Sequence, residues 1–78
     1  MRQKSEPTEF ERLARENMDA LYSRAIRITR SAVNAENLVQ STYSKAYHTY
    51  SSFDYSISFR EWLLQILESF SRESGFAV

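Results

Sequence analysis

Seven aromatic residues, Tyr43, Tyr47, Tyr50, Phe53, Tyr55, Phe59 and Trp62, fall within twenty positions of this 78-residue chain. Rings at that density can fill a core, or they can offer flat faces that stack on unpaired bases or enter a partner's pocket. Their spacing divides them. Tyr43, Tyr47, Phe59 and Trp62 lie on helical apolar stripes and are expected in the core. Phe53 and Tyr55 lie in the polar, aperiodic run Ser51-Ser52-Phe53-Asp54-Tyr55-Ser56-Ile57, where a solvated turn has no need of rings. Tyr55 is the stronger candidate for exposure, while Phe53 fits an exposed ring and a ring tucked under the loop equally well.

The remaining reactive side chains point away from catalysis. His48 is the sole histidine and there is no cysteine, so no metal site of that type can be completed and His48 reads as a surface or boundary residue. Glu9, Glu11, Glu36, Glu61, Glu68 and Glu73 form no convergent pair for acid and base work, and a single glycine builds no phosphate-cradling loop. Neither an enzyme nor a cofactor is expected. A second candidate surface is the set Asn37, Gln40, Ser41, Ser44 and Lys45, rich in amides and hydroxyls and poor in charge. Such a face suits plain solvent exposure, and it equally suits docking against another helix, because neutral polar groups are cheaper to desolvate than unpaired charges.

Helices must position both features. Phe10, Leu13, Ala14, Met18, Leu21, Tyr22, Ala25, Ile26 and Thr29 make one apolar stripe, with Thr8 and Glu11 as a capping box at its start. The run Glu16-Asn17-Met18-Asp19 can break it, so one bent helix and two successive helices both fit. Ala35, Leu38, Val39, Thr42, Tyr43, Ala46, Tyr47 and Tyr50 make the next stripe, predicted to start at an Asn34 cap with Glu36 near the positive helix end and to run to about Tyr50. Phe59, Trp62, Leu63, Ile66, Leu67 and Phe70 make the last, opened by a Ser58–Glu61 capping box and closed by Gly75. Nothing alternates with period two, so the prediction is an all-α bundle of three to four helices. Residues 1–7 are expected to be a flexible tail, residues 8–74 the domain, and residues 75–78 a second tail.

Length and charge bound the class. A chain this short buries only roughly 60% of its unfolded surface, and no disulfide supplements its core. No signal peptide or bilayer-length apolar run is present, and the expected location is the cytoplasm, away from membranes. The ten basic and ten acidic residues are unevenly placed: residues 1–33 carry seven Arg or Lys against five acids, and residues 34–78 three against five. The second half lacks the charge for unaided binding of duplex nucleic acid.

Several runs together carry a resemblance. Phe10-Glu11-x-Leu13, Asp19-Ala20-Leu21-Tyr22, Ala25 to Arg30, Asn34 to Tyr47, Ser52-Phe53 and Ser58 to Ile66 resemble region 2 of the extracytoplasmic-function sigma factors of bacterial RNA polymerase, over about Phe10 to Phe70. The resemblance implies a helix that docks on the clamp helices of the polymerase β′ subunit through Asn37, Leu38, Gln40, Ser41 and Lys45. It also implies that the following loop and last helix capture unpaired bases of the minus-ten promoter element, with Phe53, Asp54, Tyr55, Ser56, Ser58, Arg60 and Trp62 as the DNA-binding residues. The chain departs from the family's usual Asp at Asn37, Glu at Ser41, Arg at Gln65 and Asn at Ser69. Two acids that would pair with a basic partner are therefore neutral, and charge-assisted hydrogen bonds are about twice as strong as neutral ones.

Where the family continues past Phe70 into a basic promoter-contacting segment and, further on, a helix-turn-helix domain, the run Ser71-Arg72-Glu73-Ser74-Gly75-Phe76-Ala77-Val78 is not expected to supply them. Three readings result: an excised domain of a longer sigma factor, a stand-alone region 2 working with a second sigma polypeptide, or a sigma mimic that binds an anti-sigma protein or the polymerase without promoter contacts.

Overall fold

The computed structural model describes residues 8–74, and the expected tails and the Gly75 cap lie outside them. Four helices follow in order: α1 (Thr8–Glu16), α2 (Met18–Thr29), α3 (Ala32–Thr49) and, after a 3₁₀ turn at Tyr50–Ser52, α4 (Phe59–Ser74). The all-α prediction holds, with no strand among the described residues. None of these helices is long and apolar enough to cross a membrane.

The first stripe is two helices rather than one bent helix. Asn17 divides them: its side-chain amide donates to the Leu13 carbonyl at 2.8 Å and its backbone N–H to the Ala14 carbonyl at 3.1 Å. An Asn that bonds its own preceding turn competes with helix continuation, and this one ends α1. At the other end of α2, Arg30 takes a left-handed conformation, φ 55°, and donates its N–H to the Ile26 carbonyl at 2.7 Å. That closes the helix without a glycine.

The expected Asn34 cap is displaced by one turn. Ser31, in extended conformation, caps α3 and its hydroxyl accepts from the Asn34 N–H at 3.2 Å. Asn34 therefore lies inside the helix, and Glu36 falls beyond the first turn, where the helix dipole has little hold on it. The Ser58 cap forms where expected, its hydroxyl accepting from the Glu61 N–H at 3.1 Å. The side chain of Thr8, expected to cap α1, lies outside those described.

α3 is the central element, packed against both α2 and α4, which also meet each other. Leu21, Leu38, Leu63 and Leu67 are fully buried within the core, each contributing roughly 2 kcal/mol by removal from water. The two buried hydroxyls are satisfied locally, Thr42 donating to the Leu38 carbonyl at 2.9 Å and Ser71 to the Glu68 carbonyl at 3.0 Å. Tyr47, expected in the core, is 46% exposed. It lies at the edge of the stripe, with its ring edge-on to the buried Phe10 at 5.6 Å and the rest in solvent.

Candidate functional site

The loop between α3 and α4 is built from rings. Phe53 is only 7% exposed, which decides its case: it is the floor of the loop. Its ring lies 4.8 Å from Trp62, 5.6 Å from Phe59 in an edge-to-face pair, and 6.3 Å from Tyr50. Phe10, on α1, lies 5.2 Å from Tyr50 and 5.8 Å from Phe59, so α1 supports the same cluster. Aromatic pairs in such arrangements contribute about 0.5–1.5 kcal/mol each beyond burial, enough to hold a loop that has no regular backbone hydrogen bonding.

On this floor stands Tyr55, 63% exposed, its ring 4.5 Å from that of Phe53. Its backbone is left-handed, φ 65°, a conformation that costs a bulky non-glycine residue roughly 1–2 kcal/mol. Two contacts hold it there. The Asp54 carboxylate accepts from the Ser56 N–H at 3.0 Å, a turn across Tyr55, and this bond keeps the carboxyl below its ordinary range. The Tyr50 and Tyr55 hydroxyls lie 3.0 Å apart, and this bond together with partial burial pushes the Tyr50 phenol up to about 12. The arrangement presents a flat ring face, a fixed carboxylate and the exposed Ser56 on one short loop. Such a surface can stack a planar group and accept or donate hydrogen bonds around it.

The second surface is a shallow groove of about 610 Å³ lined by Asn37, Gln40, Ser41, Ser44 and Lys45 of α3 and by Phe70 of α4. The five α3 residues are exposed, and no carboxylate lines the groove. It pairs neutral hydrogen-bonding groups with one cation and one apolar wall.

A model of sigma-70 region 2 matches residues 13–72, a span that contains the loop and the groove together. The chain belongs to the sigma-70 region 2 family. Region 2 is a transcription-initiation module of sigma factors, which work with RNA polymerase and promoter DNA, and it is not an enzyme family. No solved structure matches the chain.

Within this region 2 the residues expected to act fall into distinct positions. Asn37, Gln40, Ser41 and Lys45 share the groove, but Leu38 is 0% exposed and its side chain faces the core. Its place on the apolar stripe prevails, so Leu38 supports the groove from beneath. Phe53 likewise supports Tyr55 from below, and half-buried Trp62 packs against Phe53 and Phe59. Asp54, Tyr55 and Ser56 form the loop tip, whereas Ser58 is occupied in capping α4. Arg60 donates its Nε–H to the Asn17 side-chain carbonyl at 3.0 Å, tying the start of α4 to the α1–α2 break. His48 is exposed, with Nδ1 2.8 Å from the Ser44 carbonyl.

Three contributors had no role in the sequence reading of the site. Tyr50 holds Tyr55, Asn17 holds Arg60, and Phe70 walls the groove. Asn17 carried a local signal as a weak helix former at a possible break, whereas Tyr50 and Phe70 were marked only by their places on the apolar stripes.

Proposed function

We propose that this chain is a region 2 module of the extracytoplasmic-function class. It docks on the β′ clamp helices through Asn37, Gln40, Ser41 and Lys45, and it captures an unpaired base of the minus-ten element at the Tyr55 loop. The observation that carries this reading is the exposed Tyr55 ring, fixed on the Phe53–Trp62 floor by two hydrogen bonds in a left-handed backbone. Strain of this kind persists only where its surroundings enforce it, and it gathers at functional loops. An aromatic platform costs a base little rearrangement to occupy, and base–aromatic stacking contributes about 1–3 kcal/mol per base. Contacts elsewhere on the promoter fall to another domain or a second sigma polypeptide.

The test separates the two surfaces. Tyr55→Ala is expected to impair promoter opening by polymerase carrying this module while association with polymerase persists; unchanged opening would remove base capture. Gln40→Lys is expected to abolish binding to the isolated clamp helices, measured by titration at two salt concentrations.

A second reading rests on Asn37 and Ser41, which leave the groove without a carboxylate. In that reading the chain is a sigma mimic that binds an anti-sigma protein or the polymerase without promoter contacts. Absence of clamp-helix binding at concentrations where Asn37→Asp with Ser41→Glu restores it would favour the mimic.

A further inference from the structure

Two grooves flank α2, and their charges are sorted. The first, of about 620 Å³, lies among α1, α2 and α3, with Met18, Tyr22, Val39 and Tyr43 in its lining. Its charged residues are Glu11, Asp19 and Glu36 against a single cation, Arg15. The second, of about 540 Å³, lies between α2 and α4, where Arg24, Arg27 and Arg60 accompany Ile26 and Leu64. Among the described residues no carboxylate lines it, although Arg24 shares its charge with Glu68 of α4. Tyr22 is exposed and lines both grooves, so the acidic and basic flanks adjoin along one helix.

Helix dipoles do not produce this sorting. Asp19 in the first turn of α2 and Arg27 in its last do follow the dipole preference. Glu36, however, lies beyond the first turn of α3, and Arg60 is a cation in the first turn of α4, the end that favours anions. Asn17 holds Arg60 there, accepting from its Nε–H at 3.0 Å.

A foreign partner fits only half of this surface. A nucleic acid strand suited to the arginines is repelled by the carboxylates beside them, and a basic peptide suited to the carboxylates is repelled by the arginines. A second copy of this chain fits both flanks, because each copy carries the counterpart of the other's grooves. The formal net charge of zero leaves no overall repulsion between copies.

We propose that the α2 flank is an isologous dimer interface, in which a two-fold axis sets the carboxylate groove of each copy against the arginine groove of its partner. Isologous contact requires a surface that is its own complement, and two adjoining grooves of opposite sign supply one. Apart from Tyr22 the apolar lining residues are buried or half-buried, so exposed charges carry most of the contact. Such an interface is small and reversible, with a dissociation constant on the order of 100 µM. Tyr55 lines neither groove, so the dimer does not rest on base capture and Tyr55→Ala should leave it intact.

The test is sedimentation equilibrium of the chain from about 10 µM to about 1 mM, a range that brackets this affinity, at low and at high salt. The mass should rise from monomer to dimer and no further, and added salt should move the transition to higher concentration. Glu36→Arg and Arg27→Glu, both at exposed positions and checked for helix content by circular dichroism, should each weaken the dimer about tenfold or more by opposing like charges. Mixing the two variants should restore it as a heterodimer, with the reversed pair matched in one half of the interface and the native pair in the other.

A monomer throughout the range, a dimer indifferent to both charge reversals, or weakened variants that fail to recover on mixing overturns the proposal. Mass that grows past the dimer overturns the two-fold axis, since a head-to-tail contact does not close. A chain that stays monomeric and binds a single-stranded oligonucleotide through Arg27, or a basic peptide through Glu36, overturns the dimer and gives the surface to that partner.

Discussion

The aromatic loop and the α3 groove are neighbours in the chain and opposite in construction. The loop is over-determined: Tyr55 is held by a ring below, a hydroxyl beside it and a carboxylate turn across it. The groove is a plain helix face whose residues Gln40, Ser41 and Ser44 are free to follow a partner, with Leu38 and Val39 buried beneath. Fixed geometry suits a site that must select a small planar group, because ordering costs are met in folding rather than on binding. An adaptable neutral face suits docking of a large partner, where many modest contacts add up. The difference can be broken from the shared core or sharpened from either surface.

The largest effect is expected from the buried ring that ties the loop cluster to α3. Phe10 is fully buried and its ring meets Tyr43 and Tyr47 of α3 as well as Tyr50 and Phe59 of the loop cluster. Phe10→Ala should cost about 3–5 kcal/mol through lost burial and the cavity left behind. Domains of this size have little to spare, so urea denaturation followed by circular dichroism should show a large fall in midpoint. Survival of a cooperative transition near the original midpoint would mean that α1 is not needed to hold the loop and α3 together.

Next in size is a change confined to the groove. Gln40→Lys should weaken association with polymerase by about tenfold or more, the scale of a central interface residue, with denaturation midpoint and Tyr55-dependent strand binding unchanged. Coupled loss of both activities would show that the two surfaces are not independent.

Much of this architecture was legible because helices repeat. The stripes placed Leu21, Leu38, Leu63 and Leu67 in the core, and the Ser58–Glu61 spacing marked the start of α4. Failures occurred where spacing is silent. Ser31 and Asn34 are both good caps, and the choice went to Ser31 because the left-handed Arg30 delivers it in extended conformation. Tyr47 obeys the period yet lies at the rim, since a stripe's edge is set by how closely the neighbouring helices approach. Leu38 could be assigned to core or partner, and its burial puts it in the core. In the loop there was no period at all, so Phe53 as floor and Tyr50 as latch emerge only from three-dimensional proximity.

A smaller effect isolates the latch. Tyr55→Phe removes the hydroxyl pair and should cost about 0.5–1.5 kcal/mol at most, with the ring contact to Phe53 retained. The titration of Tyr50, followed by tyrosinate absorbance, should then move down from about 12 toward the ordinary value of 10.0. The sign follows from the raised value: the neutral phenol is favoured in the folded state, so its stabilisation is fully present below pH 10 and is lost as pH rises toward 12. An unmoved Tyr50 titration would mean that burial rather than the hydroxyl pair holds the proton.

The smallest effect lies in the turn across Tyr55. The Asp54 carboxyl sits below its ordinary value of 3.8 because the Ser56 N–H bonds the ionised form. A depressed value makes the turn's contribution complete above 3.8 and lost as pH falls through the lower folded value. Acidification should therefore shift the Ser56 amide resonance with an inflection below 3.8, while the global fold, read by circular dichroism, changes little. Asp54→Asn keeps an acceptor and should abolish the inflection, and Asp54→Ala should speed hydrogen exchange at the Ser56 amide. No carboxylate lines the α3 groove, so the amides of Gln40 and Ser41 should stay in place over the same range. A Ser56 amide indifferent to pH would leave the Tyr50 hydroxyl and the Phe53 ring as the restraints on the left-handed Tyr55. Removing that hydroxyl should then loosen the ring to its contact with Phe53 alone, which makes Tyr50→Phe the deciding companion experiment.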